Sequence, residues 1–258
     1  MKIAKRTDKG LVRANNEDYL YANSELNLFI LCDGMGGHLA GETASKTAVL
    51  EISEYFKDLK IESSGEIEKA IIEAIEKANS KILKLSSENE KYSGMGTTLS
   101  LGLVYEDNLY YANIGDSRIY EMDNEGLRLL TRDDTYVNYL LDMGEISEEE
   151  AKNHPNKNVL TQALGTESKL KKKNVFVSPT KDKIFLMTSD GLTNMVTNNK
   201  IEEILKNEDL EAAADELLKE ANALQKLKNK KYRKDKHKVD FLKEFEWKLL
   251  FLIWTERL

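Results

Sequence analysis

Asp33-Gly34-Met35-Gly36-Gly37-His38 follows an apolar run directly, so Asp33 stands at a strand end where glycines let the backbone approach a ligand. A carboxylate then lies beside a carbonyl, and hard divalent cations such as Mg²⁺ or Mn²⁺ take such oxygen ligands. Ser189-Asp190-Gly191 repeats the arrangement after the compact apolar run Ile184-Phe185-Leu186-Met187-Thr188. Two carboxylates delivered alike suggest one shared site. Gly115-Asp116-Ser117-Arg118 sits in a tight turn, which taken alone is ordinary hairpin chemistry. Arg13-Ala14-Asn15-Asn16-Glu17-Asp18 puts a guanidinium just before two adjacent carboxylates. Its planar fork of donors suits bidentate capture of a phosphate dianion, although a surface ion pair of Arg13 with Glu17 is the plainer alternative.

The elements that position these groups follow from periodicity. Asp18 to Ala22 and Leu26 to Cys32 form a hairpin about the turn-like Asn23-Ser24-Glu25. Apolar residues at helical spacing mark two amphipathic helices, over 39–59 through Ala44, Ala48, Ile52 and Phe56, and over 65–88 through Ile67, Ile71, Ile75, Ala78 and Ile82. From Thr97 to Leu130, short runs rich in Leu, Val, Tyr and Ile, broken by turn residues, predict an antiparallel meander. Residues 134–160 start helical and then become irregular, which predicts a surface excursion. Strands are expected at 175–177 and 184–188, and a helix from about Leu210 to Leu227. Strands, two helices, more strands and another helix fit α+β packing, with helices covering a pair of sheets, better than alternating βαβ winding.

The 258 residues, 41% of them apolar, can bury one sizeable core. With 38 basic against 45 acidic residues the net charge is −7, which disfavours nucleic acid or anionic lipid as the main partner. Cys32 is the single cysteine, so neither a disulfide framework nor a cysteine-based zinc site is available. Met1 to Arg6 holds no apolar stretch suited to a signal peptide or a membrane span, so a cytoplasmic location is expected.

Taken in order, Arg13 to Asp18, Asp33 to Gly37, Gly94-Met95-Gly96-Thr97-Thr98, Gly115 to Arg118, Leu160-Thr161-Gln162-Ala163-Leu164-Gly165 and Thr188-Ser189-Asp190-Gly191-Leu192 make six ordered motifs. Together they resemble the bacterial metal-dependent type 2C protein serine/threonine phosphatases over about residues 1 to 222. The resemblance implies a four-layer α-β-β-α sandwich, two antiparallel sheets flanked by helices, with a two-metal centre of Mn²⁺ or Mg²⁺ at one end. It implies that Asp33 bridges both metals, that the Gly34 carbonyl completes one coordination sphere and that Asp190 binds the other metal. Asp18 then supports the metal waters, with Glu17 beside it, and Asp116 serves a third, looser metal position. Arg13 holds the substrate phosphate, and His38 is a candidate proton donor to the leaving oxygen. Two such cations make hydroxide available near neutral pH for in-line attack on phosphorus, so no phosphoenzyme is needed. The excursion at about 136–160 corresponds to the flap beside the site. The implied partners are phosphorylated proteins and a cognate serine/threonine kinase, with no nucleic acid, no stable membrane insertion and a monomeric chain.

Beyond Asn222 the resemblance stops. A glycine pair, an Asp-Asn step and a closing apolar strand are expected there, and the chain instead runs Ala223-Leu224-Gln225-Lys226-Leu227-Lys228-Asn229-Lys230-Lys231-Tyr232-Arg233-Lys234, then Trp247 to Trp254. The missing aspartate is implied as a second ligand to the Asp190 metal, and Asp235 or Asp240 is the available substitute. Residues 1–222 thus read as the catalytic unit and 223–258 as an atypical tail, arising by a reading-frame shift or by divergence. The closing strand is expected to be lost or altered, with the apolar end a surrogate cover for the exposed sheet. A phosphoprotein- or kinase-binding relative with impaired catalysis is the alternative reading.

Overall fold

The computed structural model describes residues 1–9, 16–171, 173–233 and 249–255, with the side chains of His38, 229–233 and 249–251 left aside. The chain opens with β1 (Lys2–Asp8), then the hairpin β2 (Asp18–Asn23) and β3 (Leu28–Met35). Two long helices follow, α1 (His38–Lys57) and α2 (Ile67–Glu88). The meander comprises β4 (Gly96–Thr97), β5 (Leu99–Tyr105), β6 (Asn108–Ile114), β7 (Arg118–Asp123) and β8 (Gly126–Leu129). The excursion holds two short helices, α3 (Tyr136–Asp142) and α4 (Glu148–Asn153). After β9 (Phe176–Pro179) and β10 (Ile184–Thr188) come α5 (Asp190–Thr193), α6 (Asn198–Leu205) and α7 (Leu210–Arg233), and finally β11 (Leu249–Thr255).

These strands make two sheets, β1-β11-β10-β7-β8 and β2-β3-β5-β6-β9, with β4 added to the end of β3. All the pairings are antiparallel. The period of two then sorts residues between layers. Leu28, Ile30 and Cys32 of β3 face α1 and α2, while Phe29 and Leu31 face the other sheet. Likewise Ile184 and Leu186 of β10 pack under α6 and α7, while Phe185 and Met187 enter the space between the sheets. The outcome is the four-layer α-β-β-α order expected from the sequence. Alanines at 40, 44 and 48, spaced by four, let α1 settle close to its sheet.

Of the two expectations for the tail, a lost or an altered closing strand, the altered one holds. The closing strand is supplied by Leu249–Thr255, which pairs with β1 on one side and β10 on the other. Trp254 stacks on Phe29 at 4.4 Å and on Phe185 at 5.2 Å between ring centroids, so this strand fills the space between the sheets. A continuous run of bulky apolar residues is what a central strand buried on both faces needs, and Leu252, Ile253 and Trp254 meet it without family-like sequence. The boundary placed at residue 222 falls inside α7, and Asp235 and Asp240 lie outside the described residues.

Candidate active site

β2 and β3 pair so that Asp18 lies directly opposite Asp33. By strand parity Asp33 follows Phe29 and Leu31 on the face that meets the second sheet, and Asp18 precedes Leu20 and Ala22 on the same face. Two like charges opposite each other are unfavourable unless something positive stands between them. The Asp33 backbone is fixed on every side. Its N–H donates to the Thr98 hydroxyl at 3.0 Å, and its carbonyl accepts from the Thr98 N–H and the Thr97 hydroxyl, both at 2.9 Å. Gly34 N–H donates to the Glu17 carbonyl at 3.1 Å, which also accepts from the Ser45 hydroxyl at 2.6 Å. A Cβ on Gly34 would lie 2.0 Å from the Gly41 carbonyl oxygen, so only glycine lets the first turns of α1 reach this strand end.

The second sheet delivers its acids to the same mouth. Thr188 of β10 pairs with Arg118 of β7, so Ser189-Asp190 and Asp116-Ser117 leave the sheet at one end. Ser189 donates from its hydroxyl to Asp18 Oδ2 at 3.5 Å, and the Ser117 hydroxyl lies 2.7 Å from that of Thr98, tying the sheets together there. Burial, then the charges of Asp33 and of Asp133, push the Asp116 carboxyl up to about 7. Strand pairing thus brings the four acidic positions Asp18, Asp33, Asp116 and Asp190, with the Gly34 carbonyl, to one end of the two sheets. Arg13 lies outside the described residues, and of His38 the backbone is described as the first residue of α1.

Sequence reasoning passed over the ring around Asp116. Arg118 grips the Asp133 carboxylate through Nε at 3.0 Å and Nη2 at 2.7 Å, and those bonds, against the cost of burial, hold its guanidinium above its usual range. Gly115 and Asp134 exchange bonds: Gly115 N–H donates to Asp134 Oδ2 at 3.2 Å, and Asp134 N–H to the Gly115 carbonyl at 2.9 Å. The adjacent acids in Arg132-Asp133-Asp134 were the available signal. Beyond them the flap carries an open groove of about 540 Å³ lined by Tyr136, Tyr139, Gln162 and Lys171 among others.

The family model described as Protein phosphatase 2C matches residues 12–231. The chain belongs to the protein phosphatase 2C family. It is a protein serine/threonine phosphatase, in line with relatives such as the serine/threonine phosphatase stp of Listeria monocytogenes, 42% identical over 225 residues and covering 84% of this chain and 88% of that one. The crystal structure of the serine/threonine phosphatase Stp1 from Staphylococcus aureus superposes with a TM-score of 0.85 at 30% identity, covering 99% of this chain and 95% of that one. The likeness in structure thus extends past the family match to β11. A solved PstP catalytic domain in complex with two manganese ions gives a TM-score of 0.79 at 29% identity, covering 98% of this chain and 96% of that one. Type 2C phosphatases are metal-dependent, and the donor set here fits that chemistry: oxygen alone, from carboxylates and a carbonyl, around an excess of negative charge. Among the described residues no three His, Cys, Asp or Glu side chains enclose an ion by themselves. Mg²⁺ and its like keep several waters and use one or two carboxylates, so a sparse cradle suits them. Among the described residues, no helix is long and apolar enough to cross a membrane.

Proposed function

We propose that this chain hydrolyses phosphoserine and phosphothreonine in proteins at the mouth between its sheets, reversing a serine/threonine kinase in a bacterial cytoplasm. Asp33, the Gly34 carbonyl, Asp190 and Asp18 would hold two divalent cations, Mn²⁺ or Mg²⁺, and Asp116 a looser third. The delivery of acidic positions from both sheets to one mouth supports this reading. Bound there, the cations would acidify a water for attack on phosphorus and offset charge on the phosphoryl oxygens. The threonine hydroxyls of 97 and 98 keep the Asp33 carboxylate and the Gly34 carbonyl side by side through the reaction. Arg13 orients the phosphate dianion in line, and His38 returns a proton to the serine or threonine oxygen that leaves. Cys32 takes no part, because burial pushes its thiol up and leaves no thiolate to attack.

Purified protein with Mn²⁺ is expected to hydrolyse p-nitrophenyl phosphate and a phosphothreonine peptide, and Asp33→Asn to lower kcat at least ~100-fold. Robust turnover in Asp33→Asn would reject the mechanism. The lysine-rich sequence after Asn222, where a further aspartate is expected, favours a second reading in which the chain binds phosphoproteins with impaired catalysis. Calorimetry resolving two tight Mn²⁺ sites would count against that reading.

A further inference from the structure

The buried side of α7 runs through Ala214, Leu217, Ala221 and Gln225, at spacings of three and four, and Lys228, exposed, is the next position at that spacing. Its ammonium donates to the Asn194 carbonyl at 2.9 Å. Asn194 closes the short helix α5 that Asp190 opens, and its side-chain amide donates to Asp190 Oδ2 at 3.2 Å. A lysine of the tail is therefore two hydrogen bonds from a candidate metal carboxylate. Partial burial, then the charge of Lys157 on the flap, pull the Lys228 ammonium below its usual range, so two cations flank this corner.

We propose that Lys228 docks the tail helix onto the turn carrying Asp190 and weakens the hold of that carboxylate on a divalent cation. The inference rests on the assignment of Asp190 as a cation ligand. Two effects act together. The ammonium repels an incoming cation, and by fixing the Asn194 backbone it keeps the amide on Oδ2, where a lone pair would otherwise face the ion. Lys228 thus positions Asp190 while lowering its charge available for binding.

The test is Mn²⁺ titration calorimetry on the full chain as wild type, Lys228→Gln, Lys228→Glu, Lys228→Arg and Asp190→Asn. Removing one positive charge near a divalent ion at a solvated site is expected to tighten the weaker Kd about 3–10-fold in Lys228→Gln, and more in Lys228→Glu. Lys228→Arg should match wild type, and the gains should shrink as salt rises toward 0.5 M, roughly as Debye screening requires. Unchanged or weaker binding in Lys228→Gln, with a site lost in Asp190→Asn, would overturn the role of Lys228 and leave Asp190 a ligand. Wild-type binding in Asp190→Asn would overturn the ligand assignment and this inference with it.

Discussion

Gly34 shows how a single position ties chemistry to packing. Its missing side chain admits the Gly41 carbonyl, and its own carbonyl is a candidate metal ligand beside Asp33. A methyl group there has no flexible neighbour to displace, since the three atoms nearest its Cβ are all backbone. Gly34→Ala is therefore expected to cost about 1–3 kcal/mol or more by urea unfolding. It should also lose Mn²⁺-dependent turnover, with both effects measured on the same preparation. The principal acids were legible because each of Asp33, Asp116 and Asp190 neighbours a glycine at the end of an apolar run, a local pattern. Their neighbours were not. The Arg118–Asp133 pair spans 15 positions, so the adjacent acids at 133 and 134 could mark one partner but not which residue they meet.

At the level of elements, β11 is held by two partner strands and by the stacking of Trp254 with Phe29 and Phe185. Trp254→Ala should lower stability by about 3–5 kcal/mol, read from the denaturant midpoint with the slope unchanged. An effect below about 1 kcal/mol would mean that the strand contributes little. The hairpin, the two long helices, the meander and β10 were legible because their apolar periods are long and regular. The strand β1 was not, because Lys2, Lys5, Arg6 and Asp8 leave few apolar residues in it; such charge is common where a strand forms a sheet edge, as here. Helix α6 offered just eight residues, too short for a clear repeat, and is set by its Thr197 cap and by Ile201, Ile204 and Leu205. The closing strand stood open between lost and altered for another reason. A central strand needs bulky apolar residues on both faces, and Leu252 to Trp254 supply them, whereas resemblance depends on shared sequence, which had run out.

Across the whole molecule, the two sheets are joined at the mouth by Ser189, Asp18, Thr98 and Ser117, and elsewhere by a buried ionic cluster. Glu121 of β7 receives Lys183 Nζ at 2.8 Å, with the Ser178 hydroxyl of β9 and the Arg128 guanidinium as further donors. Burial opposes its charge, but these donors prevail and hold the carboxyl below its ordinary value of 4.5. Stability from this group is thus complete above pH 4.5 and drains away as pH falls toward the depressed folded value. The melting temperature of wild type should fall more steeply below pH 4.5 than that of Glu121→Gln, which should be less stable at neutral pH. Parallel profiles for the two proteins would refute this. The pairing of Lys2 with Thr255 joins the first described strand to the last. On a ribosome making roughly 5–20 residues per second, β1 waits on the order of ten seconds to a minute before its neighbour emerges. Once β10 is made it too lacks one flank until β11 follows, so a nascent chain that has already made all four acids still exposes two raw sheet margins, the period in which a chaperone would be most needed.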